Sequence, residues 1–343
     1  MRCPGCRKEF AFEPQKRDLL TDTAFQTAID AVSAKGRVRW GVEHLYYEIC
    51  RRAKRRRVPR GVYFVVFVLA GILGVATGML PAALLLGGLV ELAIWWSARR
   101  ARAGTVALPL EKFNDMWARW RKVHGTPKGV IERKEPAPRP RASEPDLGDY
   151  SFDRAVICDR ARTVDLLLAN NFHFENNCAV LSIGGYPPGP FETVRAMLKH
   201  NPKLQVFALH DASPAGCQLA QKLATDPAWF GDQVPVTDVG LRPSHAGPFR
   251  GVWLPSASGA VPASDGITTN EVEWLSRYAL ELAAIRPEQV LKRLFRALNR
   301  KADSDEDSTS DSSTSDTRSG VQEDSDSFKA DAADADGGPD SFG

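Results

Sequence analysis

The sequence shows no signal peptide at Met1, no second CxxC after the one near its start, and almost no charge between residues 61 and 98. Without a secretory signal, the six cysteines are expected in a reducing compartment where thiols stay free or bind metal, and no disulfide framework is implied. Without a second CxxC, Cys3 and Cys6 cannot by themselves close a structural zinc site, which needs four ligands. Apart from Glu91, residues 61–98 are mostly Val, Leu, Ala, Ile, Gly and aromatics. That leaves a membrane-spanning segment or a buried pair of hydrophobic helices in a soluble protein. Apolar residues are also scarce at 302–343, where 13 acidic residues face 2 basic ones for a net of −11. Such a tail cannot bury enough surface to offset the entropy of ordering, so disorder is expected. The whole chain is +3 over 343 residues. Its near-neutral total therefore hides a strongly basic body, long enough for about two domains.

A helix crossing a bilayer needs about 20 apolar residues, so 61–98 has the length for two short passes. Pro81, with Gly78 shortly before it, marks a tight reversal between helices at about 62–80 and 82–97. Arg51, Arg52, Lys54, Arg55, Arg56, Arg57 and Arg60 precede the run, and Arg99, Arg100 and Arg102 follow it. The positive-inside rule puts both clusters in the cytoplasm, which only an even number of passes allows. Tyr63 and the pair Trp95 and Trp96 fit an aromatic belt at one interface. The expectation is an α-helical two-pass transmembrane hairpin in the lipid bilayer, with both termini cytoplasmic. Glu91 lies near the end of the second helix, at headgroup level or a helix contact.

Residues 1–60 begin with Cys3-Pro4-Gly5-Cys6, followed by Arg7, Lys8 and Phe10, which resembles the first knuckle of a zinc ribbon. The spacing suits two thiolates on one zinc ion. His44 and Cys50 are the nearby candidates to complete it, but they lie six apart on one expected helix and so on different faces. A zinc site completed by another chain and a vestigial half-site both remain open. Two helices around a Gly36 turn are expected before residue 57. The basic run 51–60 reads as contact with anionic lipid headgroups, with nucleic acid as the alternative.

Residues 105–131 carry an amphipathic helix with Phe113, Trp117 and Trp120 at helical spacing, expected to pack on the domain or the membrane surface. Residues 132–149, rich in Pro, Arg and Glu, read as a linker. Over 150–301, apolar runs at 154–158, 178–183, 204–209 and 234–239 alternate with helical patterns at 163–170, 191–199 and 214–225. Amphipathic helices across 268–298 complete the fold or form a dimer contact. The alternation implies an α/β domain with a mainly parallel sheet. Ligands of such sheets bind beyond the carboxyl ends of the strands, where Asp159, Gly184, Gly185 and Asp211 fall. Two carboxylates meeting there could hold a divalent cation.

Five blocks carry a resemblance over about 154–244: Val156-Ile157-Cys158-Asp159-Arg160, Asn171-Phe172-His173, Gly184-Gly185-Tyr186-Pro187, Leu209-His210-Asp211-Ala212-Ser213-Pro214-Ala215-Gly216 and Gly240-Leu241-Arg242-Pro243-Ser244. In order and spacing they resemble the Toprim domain of topoisomerase VI A subunits and their meiotic double-strand-break relatives. The resemblance implies a Toprim-like, Rossmannoid domain in which a glutamate ending the first strand and a DxD after the third place magnesium beside the DNA backbone. Here Asp159 stands at the glutamate position, one methylene shorter, and DxD has become Asp211-Ala212-Ser213. Ser213, just before Pro214, is expected to cap a helix. Asp159, Asp211 and Ser213 could together hold magnesium weakly, because that ion usually keeps several waters. Any surviving catalysis would rest on Asp159 and Asp211, while Arg160, Gly184, Gly185 and Arg242 are the binding candidates.

The family's DNA-cleaving tyrosine lies in a separate winged-helix domain, in a segment where an arginine precedes paired tyrosines. Tyr46-Tyr47 reads instead as core packing, with the hairpin expected to separate it from the Toprim-like domain. His173 and His245 read as solvated loop histidines, and Cys158, Cys178 and Cys217 as small core residues. Three functions stand. One is a membrane-tethered, degenerate Toprim-like module that binds nucleic acid or a nucleotide in a regulatory role. The second is a magnesium-dependent nuclease or phosphotransfer enzyme. The third is a membrane scaffold that recruits protein partners.

Overall fold

The Thr21 side chain accepts the Ala24 amide and so opens the first helix, α1 (Asp22–Val32). The chain turns through Gly36, whose φ of +85° suits a residue without a Cβ, and enters α2 (Val42–Lys54). The computed structural model describes residues 9–12, 20–54, 108–132, 152–199, 201, 203–257 and 266–307, with single positions 88, 106 and 259. Cys3 and Cys6 lie outside the described residues, as do most of the linker, the tail from 308 onward and all of 61–98 except the helical Gly88. Among the described residues no helix is long and apolar enough to cross a membrane.

The next described helix, α3 (Leu110–His124), buries Phe113, Met116, Trp117 and Trp120, the three-and-four spacing of one helix face. That stripe packs on the N-terminal helices. Trp120 stacks on Phe25 at 4.7 Å, Trp117 meets Trp40 at 6.2 Å and Phe113 meets Tyr46 at 5.2 Å. Helix α3 thus runs antiparallel to α2. The chain on either side of the apolar stretch is brought together, and the Tyr46 hydroxyl donates to the Leu108 carbonyl at 2.8 Å.

The expected α/β alternation follows as β1 (Arg154–Cys158), α4 (Ala161–Ala169), α5 (Phe172–Glu175), β2 (Cys178–Ser182), α6 (Phe191–Lys199), β3 (Gln205–Leu209), α7 (Pro214–Cys217), α8 (Leu219–Thr225) and β4 (Val236–Asp238). The four strands are parallel in the order β2-β1-β3-β4. Helices cover both faces of the sheet, which is why its strands read as continuous apolar runs and not as alternating ones. One face places Ala155, Ile157, Leu181 and Val206 against Phe191 and Leu198 of α6 and Leu219 and Leu223 of α8. The other places Val156, Cys158, Val180 and Phe207 in a larger core.

Beyond the sheet come a 3₁₀ segment (Pro243–Phe249), β5 (Leu254–Pro255), α9 (Thr269–Arg277), β6 (Tyr278–Ala279), a 3₁₀ turn (Leu282–Ala284) and α10 (Pro287–Asp307). A capping box between Thr268 and Glu271 starts α9. Helix α10 continues past the composition boundary at 301 to Asp307. Each residue added to a formed helix gains a further hydrogen bond, whereas nucleation carries the cost. The larger core takes in Phe12, Trp40, Phe113, Val156 and Leu298 alike. The N-terminal segment, α3 and the α/β body therefore pack on one another and are not strung out along the chain.

Phe113, 1% exposed, links the segments before and after the apolar stretch, so Phe113→Ala should lower the unfolding free energy by about 4 kcal/mol. Urea unfolding of the full chain in detergent measures this, and an unchanged midpoint would contradict the shared core.

Candidate functional site

Strand β1 ends at Cys158 and delivers Asp159 and Arg160, while the neighbouring β3 delivers His210 and Asp211. The two loops are stitched together by backbone groups. The Asp159 amide donates to the Leu209 carbonyl at 3.2 Å, and the Asp211 amide donates to Asp159 Oδ2 at 2.9 Å. The other oxygen, Asp159 Oδ1, is buried without a hydrogen-bond partner.

Asp211 is 2% exposed and both its carboxyl oxygens are engaged. Its Oδ1 accepts the Leu282 amide at 2.6 Å, and its Oδ2 accepts Arg160 Nε at 3.0 Å with Arg162 at 3.9 Å. Burial, and then the charge of Asp159, push the Asp211 carboxyl above its ordinary range. Burial likewise raises Asp159, against the hydrogen bond from the Asp211 amide and the charge of His210, which lower it.

Ser213 accepts the Gly216 amide at 3.1 Å and caps α7, as expected from its place before Pro214. Gly216 is required there, since a Cβ would fall 2.2 Å from the Asp211 carbonyl oxygen. Beside these groups opens a cleft of about 410 Å³ lined by Asp159, Arg160, Ile183, Ser213, Gln218 and Lys222 among others. Gly184 and Gly185 shape this region indirectly. The Gly184 amide donates to Ser182 Oγ at 3.0 Å, and Gly185 takes a φ of +84° in the turn after β2. Of the three magnesium donors nominated by the sequence, Asp159 Oδ1 is open, but Asp211 is held by Arg160 and Leu282 and Ser213 serves as a cap. This arrangement does not fit a two-carboxylate magnesium site. Among the described residues no group of three or more His, Cys, Asp or Glu could hold a metal ion.

Arg242, expected at the ligand, belongs to a different network. Its Nε donates to Asp238 Oδ2 at 2.9 Å and its Nη1 to the Gly266 carbonyl at 2.7 Å. Asp238 Oδ1 lies 2.9 Å from His210 Nε2, and His210 Nδ1 lies 2.8 Å from the Asp211 carbonyl. Both nitrogens of the fully buried ring thus face acceptors, an arrangement that favours the doubly protonated form. Burial would lower the His210 pKa, but the hydrogen bond and charge of Asp238 outweigh it and raise it. Asp238 is opposed by its own burial, yet His210 and Arg242 hold it well below the carboxylate range. Gly240 permits the approach, because a Cβ there would meet the imidazole at 2.3 Å. The sequence carried one signal for this pairing, Gly240 close after Asp238, but nothing that joined them to His210.

Several other expectations are now located. Tyr47 is not separated from the sheet: its hydroxyl donates to Glu281 Oε2 at 2.8 Å, and Glu281 lies 2.6 Å from Arg162. Burial raises both tyrosine hydroxyls far above their ordinary range, and both side chains are buried in the core. His44 is buried, its pKa pushed down to about 4 by burial, and the buried Cys50 thiol is pushed up to about 11. His245 is buried and not solvated, its Nδ1 accepting the Arg242 amide at 3.1 Å. Cys158, Cys178 and Cys217 are buried free thiols in the core.

Because His210 is raised from 6.5, its contribution to stability is complete below that pH and is lost as pH rises through its folded pKa. Because Asp238 is depressed from 3.8, its contribution is present above that pH and is lost as pH falls. Asp238→Asn should lower the unfolding free energy at pH 6 by about 3 kcal/mol and flatten the alkaline loss, as measured by thermal unfolding across pH. No protein-family model, no curated protein and no solved structure matches this chain.

Proposed function

We propose that this protein is a membrane-anchored, Toprim-like module that binds the phosphate of a nucleotide or nucleic acid in the cleft beside Asp159 and does not cleave it. The observation that carries this reading is the state of Asp211. A carboxylate whose two oxygens are committed to the Leu282 amide and to Arg160 is a structural acid. What remains toward the cleft is Asp159, a half-exposed Arg160, Lys222 and the polar Gln218 and Ser213. Arginine and lysine at such an opening suit phosphate oxygens. The regulatory role follows from binding without turnover.

The membrane part of the reading rests on the uncharged run 61–98 between two basic clusters. It is supported by the contact of Tyr46 with Leu108, which joins the chain before the run to the chain after it, as a hairpin requires. An anchor of this kind keeps the basic body beside one leaflet.

A second reading, a magnesium-dependent nuclease, draws on the unpartnered Asp159 Oδ1 and is separated by the same experiment. The full chain in detergent is titrated with a fluorescent single-stranded oligonucleotide and with ADP, with and without magnesium. Binding should weaken as salt rises and should fall about tenfold, about 1.4 kcal/mol, in Lys222→Glu, with the strand left intact. Strand cleavage that needs magnesium and disappears in Asp159→Asn would establish the enzyme instead, and no binding of either probe would overturn the module.

A further inference from the structure

Contacts along α2 give the body two poles. Arg39 exchanges hydrogen bonds with Asn170, its amide donating to Oδ1 at 2.8 Å and its carbonyl accepting from Nδ2 at 3.0 Å. Asn170 ends α4, so α2 begins near the pole where the strands start. Further along, the Tyr47 hydroxyl reaches Glu281 at 2.8 Å and Glu48 pairs with Arg286 at 3.2 Å. Glu281 and Leu282 stand over Asp211, at the pole where the strands end. Helix α2 therefore climbs toward the carboxyl ends of the strands. At 1.5 Å per residue its last residue, Lys54, lies about 9 Å beyond Glu48 in the same direction.

The chain also returns at that pole. The Val106 amide donates to the Trp253 carbonyl at 3.1 Å, Leu108 meets Tyr46, and α3 then descends beside α2 toward Trp40. Among the described residues two large apolar side chains are exposed, Leu110 at 57% and Phe174 at 82%. Leu110 opens α3 at the carboxyl pole. Phe174, on α5 just before β2 begins, marks the amino pole.

We propose that the carboxyl pole of the sheet, with Leu110 and the cleft beside Asp159, lies against the anionic headgroups of the bilayer, and that the amino pole faces away. The proposal rests on the hairpin reading above. It is argued from where the apolar run leaves and rejoins the body and from charge: the run is flanked by Arg51 to Arg60 on one side and Arg99, Arg100 and Arg102 on the other, which attract an anionic leaflet. The cleft then opens within the headgroup layer, and its phosphate ligand is met at the membrane surface.

The test uses the full chain in vesicles of phosphatidylcholine and phosphatidylglycerol, with Cys3→Ser and Cys6→Ser. Cys50, Cys158, Cys178 and Cys217 are buried and do not compete for label. An environment-sensitive fluorophore is attached at Leu110→Cys or Phe174→Cys, and nitroxide-bearing headgroups are titrated in. Quenching should be several-fold stronger at 110 than at 174. Equal quenching, or stronger quenching at 174, overturns the orientation while leaving the anchor standing. Release of the chain by alkaline carbonate overturns the anchor and the orientation together. Strong quenching at 110 supports the orientation whatever the oligonucleotide and ADP titrations give, so a failure of phosphate binding is read separately.

Discussion

A carboxylate removed from water must be given donors, and Asp211 takes them from separate stretches of the chain. Leu282 comes from the C-terminal 3₁₀ turn and Arg160 from the end of β1, with Arg162 of α4 close by. The backbone of the same residue does further work. Its amide ties Asp159, its carbonyl faces the buried ring of His210, and the next residue, Ala212, bridges Leu280. From this point polar contacts spread through Glu281 to Tyr47 on α2, and through His210 to Asp238 and Arg242. Contacts of this kind gain strength from a low-dielectric surrounding, and the two glycines that let these groups approach, Gly216 and Gly240, matter here alongside the charges.

The same commitment shapes the chemistry available at the cleft. An acid already holding an arginine and an amide has little left for a cation, whereas Asp159 keeps one oxygen unpartnered. Arg160 stands between the two, engaging Asp211 while lining the cleft. A ligand drawn to Arg160 would therefore bear on the contact that steadies Asp211.

An apolar run in the middle of a packed body is accommodated where the chain before it and the chain after it meet, and the larger core joins Tyr46 on one side to Leu108 and Phe113 on the other. Tyr46, Phe113 and Leu108 close it beside α2, and Glu48 is clamped between Arg51 and Arg52 of its own helix and Arg286 of the C-terminal region. Buried acids held this way are strongly coupled to their partners. The end of α2 that leads into the run is thus braced against the same C-terminal region that supplies Leu282 to Asp211.

Much of the architecture was legible in local pattern. Helix-covered strands read as apolar runs, Gly36 marked a turn, Ser213 before Pro214 marked a cap, and the stripe of Phe113, Trp117 and Trp120 marked one buried helix face. Each depends on residues a few positions apart, where backbone geometry and periodicity act directly. The destination of Tyr47, the partners of Asp211, and the packing of α3 on α1 and α2 carry no such local mark. They are pairings between groups tens to hundreds of residues apart. For buried charges and rings, the choice of partner is settled by which donor the closed core brings within hydrogen-bonding distance.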